Sequence, residues 1–367
     1  MSSSPEPNAL YWLLIAFGEG LNKKERLAIL WKAKETVGSL EEFVDQGFPG
    51  LPGELREKVS DVFESAPTFS FLLREVLEQG IRVVPLADPA YPERLKRSLK
   101  ADAPLVLFVL GEVGLLNAER ALAIIGSRKA SEPGLEVARK AGAYFGREGY
   151  VVVSGMAKGV DREAVEGALE AGGRAVGVLP FGMLSSRDIL PLLRRFQEDL
   201  IGGRLALVSE FHPQRSWKAW LAMARNRVVV GLSDAVFVVE SGLKESSGRD
   251  GKTHKSGTWD AVEKARKLGK RVFVADLPVE GNQELIRLGL GTPVSYQSQE
   301  GFWALEDQLQ EAAAPMPNPT DNAEPSQENR HSAPLSLGLR ILGWKPHPTY
   351  RCTTWATWAW WPASWIR

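Results

Sequence analysis

Apolar residues near the start of the chain recur every three or four positions: Leu10, Leu13, Leu14 and Phe17, then Leu27, Leu30 and Trp31, then Phe69, Leu72, Leu73, Val76 and Leu77. Such spacing puts them on one face of a helix, and Gly18, Gly38, Pro49-Gly50, Pro52-Gly53 and Pro67 separate the helices. Residues 1–80 are therefore expected to form a small all-α, SAM-like domain. From Ile81 the period changes. Val83-Val84-Pro85 and Leu105 to Val109 read as strands on either side of Tyr91 to Leu95. Continuous apolar runs follow at Ala121 to Ile125, Val151 to Val153, Ala175 to Leu179, Leu205 to Val208, Ala235 to Val239 and Val272 to Ala275. They alternate with helical patterns at Glu136 to Arg147, Asp161 to Ala171, Trp217 to Val230 and Trp259 to Leu268. Strands that are apolar on both faces and separated by helices imply a mainly parallel sheet covered on both sides. The fold expected for residues 81–310 is thus α/β, a Rossmann-like doubly wound sheet.

Residues 311–367 follow neither period. The stretch 312–334 is rich in Ala, Pro, Asn, Glu and Ser, a composition with little to bury, and is expected to be a disordered linker. Six of the twelve tryptophans then crowd between Trp344 and Trp365 without a regular period or interleaved cations. A flexible tail or residues read from an altered frame explain that run better than a base-stacking element.

Composition mainly excludes. Lys+Arg and Asp+Glu are balanced at 45 each, so affinity for a polyanion has to come from a local patch. Cys352 is the lone cysteine, and the histidines at 212, 254, 331 and 347 lack metal-ligand spacing, so neither a disulfide framework nor a metal site is expected. The first residues lack a signal-peptide pattern, and no apolar stretch reaches the roughly 20 residues of a membrane helix. A cytoplasmic protein with no membrane partner is expected.

Ligands of doubly wound sheets bind beyond the carboxyl ends of the strands. Three short loops rich in Gly and Ser fall there: Gly126-Ser127-Arg128, Ser154-Gly155-Met156-Ala157-Lys158-Gly159 and Ser256-Gly257-Thr258. Small residues let a backbone approach a phosphate, and a helix that starts behind such a loop directs free N–H groups at the anion. The candidate phosphate contacts are Gly126, Ser127, Arg128, Ser154, Gly155, Lys158, Gly159, Arg225, Ser256 and Gly257. Asn226 is expected to orient the arginines, and Arg227 to serve the fold or the ligand, because positions 225 and 227 do not share a helix face. Asp161 reads as a cap of the following helix rather than a catalytic base. The spaced glycines of a dinucleotide fingerprint are missing after the first strand, as is a Walker-type loop, and no nucleophile, base and acid converge. No catalytic residue, cofactor or metal is expected.

These motifs resemble the DNA processing protein A family (DprA, also called Smf). The resemblance runs from about Asp88 to Gly291. It is carried by Asp88-Pro89-Ala90-Tyr91-Pro92-Glu93-Arg94-Leu95, Ala123-Ile124-Ile125-Gly126-Ser127-Arg128, Ser154 to Asp161, Arg225-Asn226-Arg227 with Gly231-Leu232-Ser233, Val238-Val239-Glu240 and Gly281-Asn282. It implies single-stranded DNA in the cleft, a homodimer formed by the Rossmann-like domains and delivery of that DNA to the recombinase RecA in natural transformation, without catalysis. Departures from the family pattern include Val165 where a histidine is usual and an insertion from about Leu243 to Lys255. The insertion reads equally as a cationic finger or a solvated loop. A second reading stays open: a small-nucleotide sensor, including one for phage defence, or an N-glycosidic hydrolase of a related fold, with Ser256-Gly257-Thr258 and Asp260 as an imperfect copy of the hydrolase loop.

Overall fold

The computed structural model describes residues 6–247 and 253–313. The linker and tryptophan-rich tail expected over 311–367 lie outside the described residues beyond 313, as does the tip of the insertion. Helices α1 (Glu6–Phe17), α2 (Lys23–Thr36), α3 (Leu40–Asp45), α4 (Gly53–Glu64) and α5 (Ala66–Glu78) form the first unit. Asn22 and Glu25 close a reciprocal capping box at the start of α2, and Ser39 caps α3, so the polar residues between the apolar stripes set where these helices begin.

Strand β1 (Arg82–Pro85), helix α6 (Glu93–Leu99) and β2 (Val106–Gly111) lead into the main alternation of β3 (Ala121–Ile125), α7 (Glu132–Arg147), β4 (Val151–Ser154), α8 (Val160–Glu170) and β5 (Arg174–Val178). It continues through α9 (Ser186–Ile201), β6 (Leu205–Ser209), α10 (Ala219–Gly231) and β7 (Ala235–Val238). A hairpin of β8 (Glu245–Ser247) and β9 (Thr253–Lys255) comes next, followed by α11 (Gly257–Lys267), β10 (Arg271–Ala275), α12 (Glu280–Arg287), β11 (Thr292–Val294) and α13 (Gln299–Ala313). Nine strands form one sheet in the order β1-β2-β6-β5-β4-β3-β7-β10-β11. The pairs from β6 to β11 are parallel, whereas β1–β2 and β2–β6 are antiparallel. From β3 the chain winds through β4, β5 and β6 in one direction and then jumps back to β7 on the other side. The crevice between β3 and β7 is therefore the topological switch point, where such sheets take ligands.

Each apolar run of the sequence is a strand, and β3, β4, β6 and β7 are buried along their whole length. Helix α9 is an element the sequence patterns did not predict. Ile189, Leu192 and Phe196 form its buried stripe, but Pro191 lies inside it and Phe196 departs from helical geometry, which obscures the period. The inserted segment is a β-ladder with Ser246 opposite His254, closed where the Ser256 N–H donates to the Lys244 carbonyl. The N-terminal helices share one continuous core with the sheet. Phe17 stacks on Phe108 of β2, and His212 presents its ring edgewise to Phe17 and Phe69.

Candidate nucleic-acid interface

The first two loops meet at the carboxyl edge of β3 and β4. The Val160 N–H donates to the Ser127 carbonyl, and Gly159 has a φ of +85° with its α-carbon pressed on the first loop. A Cβ at Gly159 would lie 2.4 Å from that carbonyl oxygen, so only glycine fits. The Ser127 N–H donates to the Glu240 carbonyl just past β7, which ties the switch-point strands together. The Ser127 hydroxyl accepts from the Lys129 N–H at 3.0 Å. Ser154 departs from expectation: it is fully buried and donates its hydroxyl to the Ile124 carbonyl at 2.7 Å. Its side chain therefore braces β4 against β3, and no ligand reaches it in this conformation.

Two internal carboxylates occupy positions where an anion would be expected. Asp161, the second residue of α8, does not cap that helix; Gly159 holds the cap position without a side-chain bond. Its carboxylate accepts instead from the N–H groups of Gly126 at 3.3 Å and Gly155 at 3.1 Å, one from each loop. Burial pushes this carboxyl up, while Arg225 and the N–H groups of Gly126, Gly155 and Ala157 pull it back down. At the switch point, Glu240 accepts from the Ser131 N–H at 2.9 Å and from the Ser131 hydroxyl at 2.5 Å, directly at the start of α7. A helix N-terminus attracts a single anion there, and the protein supplies its own. A nucleoside phosphate seated on these N–H groups would have to displace a buried carboxylate, which counts against the small-nucleotide reading.

The three residues of the Arg-Asn-Arg motif on α10 have different partners: Arg225 and Asn226 are buried, and Arg227 is partly exposed. Arg225 is buried, with its guanidinium lying over Gly155, where a Cβ would come within 1.7 Å of Nη1. Burial lowers its proton affinity, opposed by the pull of Asp161 and Asp260, and its Nε lacks a hydrogen-bond partner. Asn226 donates to the Gly257 carbonyl at 3.0 Å and to Asp260 at 2.8 Å, so it fixes the start of α11 rather than the arginines. Arg227 pairs with buried Glu210 and donates to the Asp102 carbonyl. Burial pushes the Glu210 carboxyl up and Arg227 opposes it. Arg225, expected to contact phosphate, is instead buried near Asp161, and Arg227, expected to serve the fold or the ligand, pairs with Glu210.

The third loop joins through this hub. Ser256 caps α11, its hydroxyl accepting from the Trp259 N–H at 3.4 Å, and Gly257 is exposed beside it. Asp260, the acid nearest in sequence to this loop, is held by Asn226 and by Lys264 at 2.5 Å, so it is not placed as a free base for hydrolysis. Three cations of the first two loops remain in water: Arg128, Lys129 and Lys158 are exposed and make no ion pair with any described residue. The segment after β6, whose Arg215 and Lys218 read in the sequence as a basic approach to the Arg-Asn-Arg motif, adds two aromatic residues that the sequence did not single out. Trp217 and Trp220 are 44% and 59% exposed, and Arg215 and Lys218 beside them are exposed and likewise unpaired among the described residues. The Gly182 N–H donates to the Arg215 carbonyl and the Trp217 N–H to Asp188, which pins this segment to the loop beyond β5. Aromatic residues interleaved with cations at positions 215, 217, 218 and 220 were the available signal.

Among the described residues no three His, Cys, Asp or Glu side chains gather as a metal site, and no helix is long and apolar enough to cross a membrane. Residues 82–299 match the family model of the DNA recombination-mediator protein A. The DNA processing protein DprA of Bacillus subtilis is 30% identical over 254 residues, covering 69% of this chain and 78% of that protein. The DprA of Streptococcus pneumoniae is 30% identical over 216 residues, 59% of this chain and 64% of the relative. The X-ray structure of DNA processing protein A from Streptococcus pneumoniae superposes with a TM-score of 0.61 at 25% identity, covering 80% of this chain and 97% of that one. With its strand-end loops, its interior Arg-Asn-Arg hub and a match over residues 82–299, the chain belongs to the DNA recombination-mediator protein A family, the DprA/Smf proteins.

Proposed function

We propose that this protein binds single-stranded DNA without sequence preference at the carboxyl edge of its sheet and hands it to RecA during natural transformation, in the cytoplasm and without catalysis. The observation that carries this reading is the set of exposed, unpaired cations Arg128, Lys129 and Lys158 on two loops in direct contact. Phosphates contact Arg128 and Lys158, while Gly126, Ser127 and Gly159 hold the first two loops together and Gly257 is exposed at the third. Trp217 and Trp220, flanked by Arg215 and Lys218, offer flat faces to bases, as sequence-tolerant single-strand binders do. Ser154, Gly155, Arg225, Asn226 and Ser256 support these loops, and Arg227 serves the fold through Glu210. A homodimer of the Rossmann-like units presents two such edges to one strand.

The test is fluorescence anisotropy with a labelled oligonucleotide of mixed sequence at low salt. Arg128→Glu with Lys158→Glu is expected to weaken binding by at least about a hundredfold, since each reversal replaces a phosphate contact by repulsion, while Tm stays close to that of the parent. Undiminished binding by the double variant would reject this face. Pull-down of RecA and light scattering test the partner and the dimer separately.

A further inference from the structure

Asp161 is buried, yet it joins the two loops that carry the exposed cations. Its carboxylate accepts the Gly126 N–H of the first loop at 3.3 Å and the Gly155 N–H of the second at 3.1 Å. Arg225 of α10 supplies the opposing charge, with its guanidinium over Gly155. Arg128 lies two residues beyond the first of these donors and Lys158 three beyond the second. Both side chains are exposed and form no ion pair among the described residues, so the backbone beneath them sets where their charges stand. The second loop also holds a strained residue. Met156, between Gly155 and Ala157, has a φ of +57°, a left-handed backbone that costs a residue with a Cβ roughly 1–2 kcal/mol. Its side chain is buried, and the Arg162 guanidinium donates to its carbonyl at 3.4 Å. Such a conformation persists only where the surroundings hold it. The holding points are the Asp161 carboxylate at Gly155 and the Gly159 backbone against the first loop, one on either side of Lys158.

We propose that Asp161 is a positioning residue for DNA binding: it staples the first loop to the second, so that Arg128 and Lys158 meet phosphates of one strand together. This rests on the DNA-binding reading of that edge and adds a residue that the DNA itself does not touch. The charge of the carboxylate is essential to the role. In Asp161→Asn one oxygen remains as an acceptor, an NH2 group faces the other N–H donor, and buried Arg225 loses its main opposing charge. One loop is released, and the spacing of the two cations is lost.

Anisotropy titration of the full chain with labelled oligo(dT), at a temperature where every variant is folded, tests the assignment. Asp161→Asn is expected to weaken binding at least about tenfold, the scale of one charge-assisted contact. The slope of log affinity against log salt should also shrink by about 0.7, one phosphate. Phe43→Leu, a change in the core of the helical unit, is the control for lost stability: it should lower Tm and leave affinity and slope as they were. Unchanged affinity and slope in Asp161→Asn, or the same losses in Phe43→Leu, overturn the proposal. Hydrogen exchange in the wild-type chain reads the staple without any substitution. A strand that binds only the joined loops stabilises them by linkage, so saturation with oligo(dT) should slow exchange of the Gly126 and Gly155 amides together. Exchange of both amides unaltered by DNA likewise overturns it. Undiminished binding by Arg128→Glu with Lys158→Glu rejects the DNA reading itself, whereas loss in that double variant beside full binding by Asp161→Asn rejects the staple alone.

Discussion

Arg128 and Arg225 share a side chain and differ in fate. The first stands in water at a strand end, and the second is buried over Gly155, close to Asp161 and Asp260. A phosphate reaches the first with little loss of hydration, whereas exposing the second would undo the loop it supports. Gly155 tests this division. In Gly155→Ala the added methyl collides with a guanidinium that has no free space to retreat into, so a loss of about 1–3 kcal/mol and a lower Tm are expected, measured by denaturant titration. An unchanged midpoint would mean that Arg225 is not held where the geometry places it. The glycines and the serines of the loops were legible in the sequence as close-approach residues, but the roles of Ser154 and Ser256 were not. A serine hydroxyl serves a ligand, a neighbouring carbonyl or a helix end equally well, and only its spatial neighbour decides.

Among the elements, periodicity located the strands β3, β4, β5, β6, β7 and β10, because a buried run needs only four or five consecutive apolar residues to declare itself. It missed α9, where Pro191 interrupts the stripe, and placed the start of α10 too early, since Trp217 and Lys218 belong to the connection that carries the exposed aromatics. The packing of the helical unit on β2 was not legible either, and it centres on His212. Burial and the nearby Arg215 hold its imidazole below the ordinary value of 6.5. The unfolded chain takes up a proton near that value and the folded one resists until a lower pH, so stability falls as pH drops through this window. The wild type should therefore lose more Tm than His212→Phe between neutral pH and about pH 5. Parallel curves for the two proteins would remove His212 from the account.

For the whole molecule, equal numbers of acidic and basic residues leave no net charge to attract a polyanion, so binding has to depend on where the cations stand. A salt series reads that placement directly: log affinity should fall linearly with log salt, and each phosphate-contacting cation removed should reduce the slope by about 0.7. Single variants of Arg128, Lys158 and Lys218 are expected to do so, and Arg227→Gln is not. A common effect of all four would mean that binding follows overall charge rather than this edge. The sequence by itself determined the alternation of strands and helices, the position of the small-residue loops at strand ends and the family motifs, since each is written within a few neighbouring residues. Only the tertiary structure decided which of the motif's charges meet solvent. An ion is buried or free according to partners such as Asp161, Glu210, Glu240 and Asp260, and sequence spacing alone did not show which charge would meet which of them.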